Sequence, residues 1–434
     1  MEILGKIKAK KATVGIIGLG YVGLPLATEF AKAGLAVTGY DVQKDRVDSI
    51  NAGRNYIGDV KDEELKKVVS EGKLKATTDE KEMQKADAIC ICVPTPLDKH
   101  MQPDVTYVVQ SAKMVARNLQ PGQLIVLEST TYPGTTREVI LPLLEKGGKK
   151  VGKDFYLAFS PERVDPGNKE YHTGNTPKVV GGITRDCTEI AAALYETFNP
   201  KIYRAKSPEV AEMEKILENT FRIVNVSMIN EMALLCDRMK IDIWEVIEAA
   251  STKPYGFMPF YPGPGIGGHC IPIDPFYLSW KAREYEFIPR FIELAGEINN
   301  MMPHYVMTKV NFALNKVKKC LRGSKILVLG VAYKKDIDDY RESPALRVIE
   351  KLKHKGAIVE YHDPYIPEFE DHFTGLKMQS ISKLTKEKLN EVDCVVITTD
   401  HSDYDWDFIL KESQLIVDTR NAIKRRDTDK VYRF

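Results

Sequence analysis

Cys270 lies in the stretch Pro262-Gly263-Pro264-Gly265-Ile266-Gly267-Gly268-His269-Cys270-Ile271-Pro272-Ile273-Asp274. So much glycine and proline excludes regular helix or strand, which places the thiol on a shaped loop with many backbone donors. Such a setting can raise thiolate character and leave the sulfur open to an electrophile, the requirements of a covalent nucleophile. Asp274 follows four residues later, close enough to share a site. A lone cysteine is more often a small buried hydrophobe, and that reading is adopted for Cys90, Cys92 and Cys394, which fall in apolar, strand-like runs. Lys215 and Asn219 stand at i and i+4 of a helical segment and project from one face. Taken alone, that pair reads as a solvated polar face.

A second constellation is Gly18-Leu19-Gly20-Tyr21-Val22-Gly23, set between an apolar run and a helical pattern, with Asp41 closing the next apolar run. Gly18 permits a tight turn, Gly20 lets a pyrophosphate approach the backbone, and Gly23 allows helix and sheet to pack closely. The helix N-terminus then presents donors to phosphate. Asp41 would accept from ribose hydroxyls and repel a 2'-phosphate, which selects NAD over NADP. The expected cofactor set is Gly18, Gly20, Tyr21, Val22, Gly23, Asp41 and Arg46.

These residues need a scaffold, and the periodicity supplies one. Thr13 to Ile17, Ala36 to Asp41, Asp87 to Val93 and Gln123 to Glu128 read as strands separated by helical or loop sequence, which predicts a parallel, doubly wound sheet. Ser207-Pro208-Glu209 reads as a helix start. Beyond it Val210, Met213, Leu217, Phe221, Val224, Met228, Met232 and Leu235 recur at three- and four-residue steps, an apolar stripe suited to joining domains or meeting a partner. Near Lys325 the strand-then-glycine opening returns in Ile326 to Leu329 and Gly330, and Ile358 to Asp363 ends in an acid as Val37 to Asp41 does. The sequence therefore predicts an α/β fold of two Rossmann-like doubly wound domains joined by a helical central segment. The boundaries are 1–205, 206–318 and 319–434.

Bulk properties narrow the function. The 62 basic and 61 acidic residues leave a net charge of +1, so no global field recruits nucleic acid or an anionic membrane. No stretch offers about 20 consecutive apolar residues, and the N-terminus has no apolar leader, so a cytoplasmic protein is expected. Seven irregularly spaced cysteines do not suggest a disulfide framework, and eight scattered histidines suggest no metal site. The basic stretch from Lys146 to Lys153 reads as a solvated loop.

In its order of motifs the chain resembles the UDP-sugar 6-dehydrogenases, the family of UDP-glucose and UDP-N-acetylhexosamine dehydrogenases, over nearly its whole length. The resemblance rests on Gly18-Leu19-Gly20-Tyr21-Val22-Gly23-Leu24-Pro25, Val93-Pro94-Thr95-Pro96, Glu128-Ser129-Thr130 and Ser160-Pro161-Glu162-Arg163. It continues through Lys215 with Asn219, Gly267-Gly268-His269-Cys270 with Asp274, Tyr333-Lys334-Lys335-Asp336 with Arg341-Glu342-Ser343-Pro344, and Asp418-Thr419-Arg420. It implies an NAD domain, a helical dimerisation segment, a C-terminal UDP-binding domain and a homodimer. It also implies that Cys270 is the nucleophile, that Lys215 lies beside the reacting C6 oxygen, and that Asn219 and Asp274 join the same polar cluster. Thr130 and Glu162 match positions that hold water and substrate, Thr95 and Arg341 match cofactor contacts, and Lys334 and Arg420 match residues that bind the nucleotide sugar. Thr130 is also counted among the cofactor contacts, and Arg163, Tyr261 and Gly267 among the substrate contacts. Glucose-type members carry a second acid at the position of Pro166. Asp165 is shifted by one, and no role is transferred to it. The Ser160–Gly167 and Tyr261–Leu278 stretches resemble the N-acetyl branch, the UDP-N-acetylglucosamine 6-dehydrogenases in particular, with UDP-N-acetylmannosamine and UDP-glucose as alternative substrates.

The implied chemistry is a four-electron oxidation of a primary alcohol through aldehyde, thiohemiacetal and thioester to carboxylate. A two-electron hydroxy-acid dehydrogenase would need Lys215 but neither Cys270 nor the C-terminal domain. A non-catalytic dinucleotide sensor would bind NAD without turnover. Two, one or no NADH per product separates the three.

Overall fold

The structure is a computed structural model that describes every residue except Met1, Asp59, Lys99, His100, Met101, Val164, Pro166, Gly167, Lys169, His269 and residues 372–374. The chain divides into two compact units, one formed by Met1–Glu218 with Phe276–Phe287, the other by Asn219–Pro275 with Ile288–Phe434.

The first unit is built on an eight-stranded sheet. Its strands are β1 (Thr13–Ile17), β2 (Ala36–Tyr40), β3 (Leu74–Thr77), β4 (Ala88–Ile91), β5 (Leu124–Leu127), β6 (Tyr156–Phe159), β7 (Lys178–Gly182) and β8 (Ile202–Ala205). They are ordered 3-2-1-4-5-6-7-8. Every residue of β4, β5 and β6 is buried, because both sheet faces are covered: Cys90, Val126 and Ala158 pack into one core, and Ile89, Ile125 and Leu157 into the other. The short apolar runs of the sequence are thus strands of a doubly covered sheet. Cys90 and Cys92 are buried in it, and burial pushes both thiols up.

One strand departs from the expected parallel sheet. β7 runs antiparallel to β6, with Ala158 facing Gly182 and Phe159 facing Gly181. Among the described residues between them there is no helix, and a parallel return normally needs a helical crossover. Extending that register brings Lys178, the first residue of β7, level with Glu162. Since β1, β4, β5 and β6 are parallel, Gly18, Cys92, Glu128 and Ser160 each follow a strand at the same edge, where doubly wound sheets bind ligands.

Helix α1 (Gly23–Lys32) follows β1, and α2 (Pro208–Met239) begins at the expected proline. On α2 Glu212, Lys215, Asn219, Ser227 and Asn230 are buried together with Ala211, Ile216, Ile223, Ile229 and Ala233, while Val210, Met213, Leu217, Phe221, Met228 and Leu235 are exposed. The solvated-face reading of Lys215 and Asn219 therefore fails.

In the second unit β9 (Lys325–Leu329), β10 (Ile358–His362), β13 (Cys394–Ile397), β14 (Ile416–Asp418) and β15 (Val431–Arg433) form a parallel sheet ordered 10-9-13-14-15. A hairpin of β11 (Glu368–Asp371) and β12 (Leu376–Gln379) stands apart from it. Helices α3 (Asp274–Ala282), α4 (Arg290–Lys316) and α5 (Pro344–His354) complete the elements that bear on function. The duplication is visible in atomic detail. In the first unit Asp41 accepts from the N–H of Leu19, one residue past the turn glycine. In the second, Asp363 accepts from Val331, one residue past Gly330.

Candidate active site

The glycine loop of the first unit fits a dinucleotide. Gly18 has φ of 88°, and a Cβ there would lie 2.6 Å from the Cys92 carbonyl oxygen; one at Gly23 would lie 1.8 Å from that of Gly18. Both positions admit only glycine. A Cβ at Gly20 would meet nothing within 4 Å, so the backbone there is open to a ligand. Tyr21 is exposed beside it. The Asp41 carboxylate accepts from Leu19 and Gln43 N–H groups, at 3.0 and 2.9 Å, and Arg46 stands 3.4 Å away. Asp41 is therefore oriented before any ribose arrives, and Arg46 lies beside it.

After β4 and β5 the chain turns into Thr95 and Thr130, and the structure joins them: the Thr95 hydroxyl donates to the Thr130 carbonyl at 2.7 Å. The Thr95 carbonyl in turn accepts from the buried Tyr277 hydroxyl. Next to this pair lies a group that sequence reasoning missed. Lys178, buried on β7, donates to Glu128 at 3.0 Å and is 3.8 Å from Glu162. Burial alone disfavours its ammonium, but Glu128 and Glu162 outweigh that and hold its pKa above the usual lysine value. The buried Tyr195 hydroxyl donates to the other Glu128 oxygen. The available signal was a single lysine opening the apolar run Lys178-Val179-Val180-Gly181-Gly182, since a lysine on a buried strand must be paired.

Arg163 is engaged within the unit. It donates to the Pro177 carbonyl, and its guanidinium meets Glu214 and Glu218. Burial, together with a hydrogen bond to Glu218, pushes Glu214 up to about 7. Lys215, one residue on, is buried on α2. Val164, Pro166 and Gly167 of the following loop lie outside the described residues.

In the second unit Cys270 is exposed, and its carbonyl accepts from the N–H of Asp274 at 2.9 Å, a helical bond one turn ahead of α3. Asp274 is buried, and Asn219 donates to its carboxylate at 2.6 Å. The geometry thus unites Asn219, Asp274 and Cys270. His269 lies outside the described residues.

The glycines of the loop have individual reasons. A Cβ at Gly263 would lie 2.7 Å from the Arg420 guanidinium, one at Gly267 2.6 Å from the Cβ of Tyr333, and one at Gly268 3.1 Å from the Tyr333 ring. Asn230 accepts from Gly263 N–H, Asn299 from Ile266 N–H, and the Arg341 carbonyl from Gly268 N–H. Several of the expected free donors are therefore committed to holding the loop. Tyr261 stacks on Trp244 with its ring half exposed. Arg420 donates to the Thr398 carbonyl, and burial lowers its pKa. Arg341 forms a two-pronged pair with Asp339, and Lys334 sits half-buried in the turn Tyr333–Asp336. Among the described residues no cluster could hold a metal ion, and no helix is long and apolar enough to cross a membrane.

Residues 12–199 match the NAD binding domain of the UDP-glucose/GDP-mannose dehydrogenase family, 209–301 its central domain and 327–425 its UDP binding domain. A UDP-N-acetyl-D-glucosamine 6-dehydrogenase of Pseudomonas aeruginosa is 36% identical over 82% of this chain and 84% of its own. An NDP-N-acetyl-D-galactosaminuronic acid dehydrogenase of Ralstonia nicotianae is 35% identical over 94% and 95%. The solved structure of a UDP-D-ManNAc dehydrogenase of Pyrococcus horikoshii superposes with a TM-score of 0.87 at 34% identity, covering 97% of this chain and 98% of that one.

Proposed function

The chain belongs to the UDP-glucose/GDP-mannose dehydrogenase family and is an NAD-dependent UDP-sugar dehydrogenase, and from that premise we propose a four-electron oxidation at C6 of UDP-N-acetylglucosamine with Cys270 as nucleophile. The observation that carries this reading is the exposed Cys270 on a glycine loop one helical turn before a buried Asp274 that Asn219 holds. An alcohol dehydrogenase needs no such thiol; an enzyme that must retain an aldehyde for a second oxidation does.

Bound NAD supplies the hydride acceptor, once for each two-electron step. The alcohol proton passes to a water beside Asp274, and the aldehyde forms. The Cys270 thiolate adds to the aldehyde carbon, giving a thiohemiacetal, and the second oxidation converts that to a thioester. Water near Glu162 and Thr130 then cleaves the C–S bond, releasing the carboxylate and the thiol. Lys215 and Asn219 stabilise the oxyanion at C6, a contribution on the order of 3 kcal/mol for a single well-placed donor. Lys334, Arg420, Arg163, Tyr261 and Gly267 bind the nucleotide sugar, while Thr95 and Arg341 complete the cofactor contacts. We assign 1–205 to NAD, 206–318 to the nucleophile and dimerisation, and 319–434 to the nucleotide sugar.

The exposed apolar stripe of α2 supports a homodimer, since contiguous exposed apolar surface marks interaction sites. A cytoplasmic location follows from the ligands, both of which are intracellular metabolites.

The test is stoichiometry together with Cys270→Ser. Two NADH per uronic acid are expected, and the serine variant should bind both ligands yet lose nearly all sustained turnover, because its ester hydrolyses poorly. An acyl adduct should appear by intact mass. One NADH per product, or wild-type turnover in the variant, defeats the reading.

A further inference from the structure

We propose that His401 is a positioning residue that fixes the turn Tyr333–Asp336, and through it both Lys334 and the seat of the Cys270 loop. The proposal rests on the assignment of Lys334 to the nucleotide sugar made above.

His401 is fully buried beyond the end of β13. Its Nδ1 lies 3.0 Å from the main-chain nitrogen of Asp336, and its Nε2 lies 3.1 Å from the Asp363 carboxylate. A main-chain N–H can only donate, so Nδ1 is the bare nitrogen and the ring proton sits on Nε2, facing Asp363. That carboxylate is itself oriented by the N–H groups of Val331, Ala332, Tyr365 and Ile366. The Tyr365 ring packs against the imidazole at a centroid distance of 4.9 Å. The imidazole is thus locked in one tautomer and one orientation.

The other end of this chain of bonds is Asp336. It has φ of 60°, a left-handed conformation that costs most residues with a Cβ and that Asp enters where local hydrogen bonds hold it. Besides the His401 bond, its carboxylate accepts from the N–H and hydroxyl of Ser402, each at 2.7 Å. Two residues before Asp336 stands Lys334. Three before it stands Tyr333, whose Cβ excludes a side chain at Gly267 and whose ring lies close against Gly268. One pinned turn therefore carries a nucleotide contact and backs the glycines that precede Cys270. The acid that aligns with Asp41 is spent in this unit on holding His401.

Two substitutions divide the imidazole. His401→Gln keeps a donor that reaches Asp363 but removes the acceptor for Asp336; His401→Asn keeps a carbonyl oxygen near the Nδ1 position. In the full-length enzyme, KM for UDP-N-acetylglucosamine is expected to rise about tenfold in the Gln variant, the usual scale for one lost buried hydrogen bond. The KM for NAD should stay within about twofold, and the Asn variant should recover most of the loss. An unchanged UDP-sugar KM in the Gln variant, or a parallel loss for both ligands in both variants, overturns the proposal. Should neither variant fold, the 15N spectrum of the His401 ring in the native enzyme decides: a proton on Nδ1 leaves no acceptor for the Asp336 N–H and overturns the proposal. Lys334→Ala separates the two readings. If its KM is unaltered, the nucleotide role of Lys334 falls; if its KM rises while that of the Gln variant does not, only the role of His401 falls.

Discussion

At the residue scale, the acid beside the dinucleotide loop is prepared for its ligand by the backbone. Leu19 and Gln43 N–H groups fix the Asp41 carboxylate, and Arg46 stands beside the oxygen that Leu19 holds. Asp41→Asn keeps an oxygen for Leu19 but removes the charge that repels a 2'-phosphate and leaves the Arg46 guanidinium unopposed. The ratio of kcat/KM for NAD over NADP should fall on the order of tenfold, since one charge near a protein surface is worth ~1–4 kcal/mol at contact distance. Steady-state kinetics with both cofactors checks this, and an unchanged ratio refutes it. Asp41 was legible in the sequence because its strand and the glycine loop are local features. The pairing of Lys178 was not, because its partners Glu128 and Glu162 come from other segments and meet it only through the reversal of β7.

At the element scale, α2 is the informative case. Its apolar stripe was legible as a period, but which face the protomer buries was not, since periodicity gives a stripe and not what covers it. The chain buries a different face, on which Ile216, Ile223 and Ile229 stand among polar groups: Glu212 accepts from the N–H groups of Gly134 and Thr136, and Ser227 donates to the Ala295 carbonyl. The exposed stripe is then available for a second copy. Leu217→Glu with Met228→Glu places two charges on it without touching the buried groups. Light scattering is expected to show a dimer for the native chain and a monomer for the double variant at micromolar concentration, with the melting temperature little changed. A native monomer, or an unaltered dimer in the variant, argues against α2 as the interface. The strand reversal at β7 was equally hidden, because a strand's direction depends on the length and shape of the connection before it.

At the scale of the whole molecule, two units repeat one device, a glycine turn after a strand with an acid from the next strand bonded to it, and use it differently. In the first, Asp41 keeps a face toward the ligand edge; in the second, Asp363 is consumed by His401. The same scaffold thus serves NAD in one copy and a nucleotide sugar in the other. The sugar preference proposed above is a matter for the Cys270 loop, where Gly263, Gly265, Gly267 and Gly268 lie close against Arg420, Pro344 and Tyr333. The UDP-N-acetylglucosamine reading proposed above implies a pocket that receives the 2-acetamido group, which UDP-glucose lacks. Space alone discriminates weakly, by about 1–3 kcal/mol for a missing group, so residual activity on UDP-glucose is expected at roughly a hundredth of the best rate. We expect kcat/KM to rank UDP-N-acetylglucosamine first, UDP-N-acetylmannosamine second and UDP-glucose third. A clear preference for UDP-glucose would overturn the substrate assignment, while two NADH per product on whichever sugar is preferred would leave the Cys270 chemistry standing.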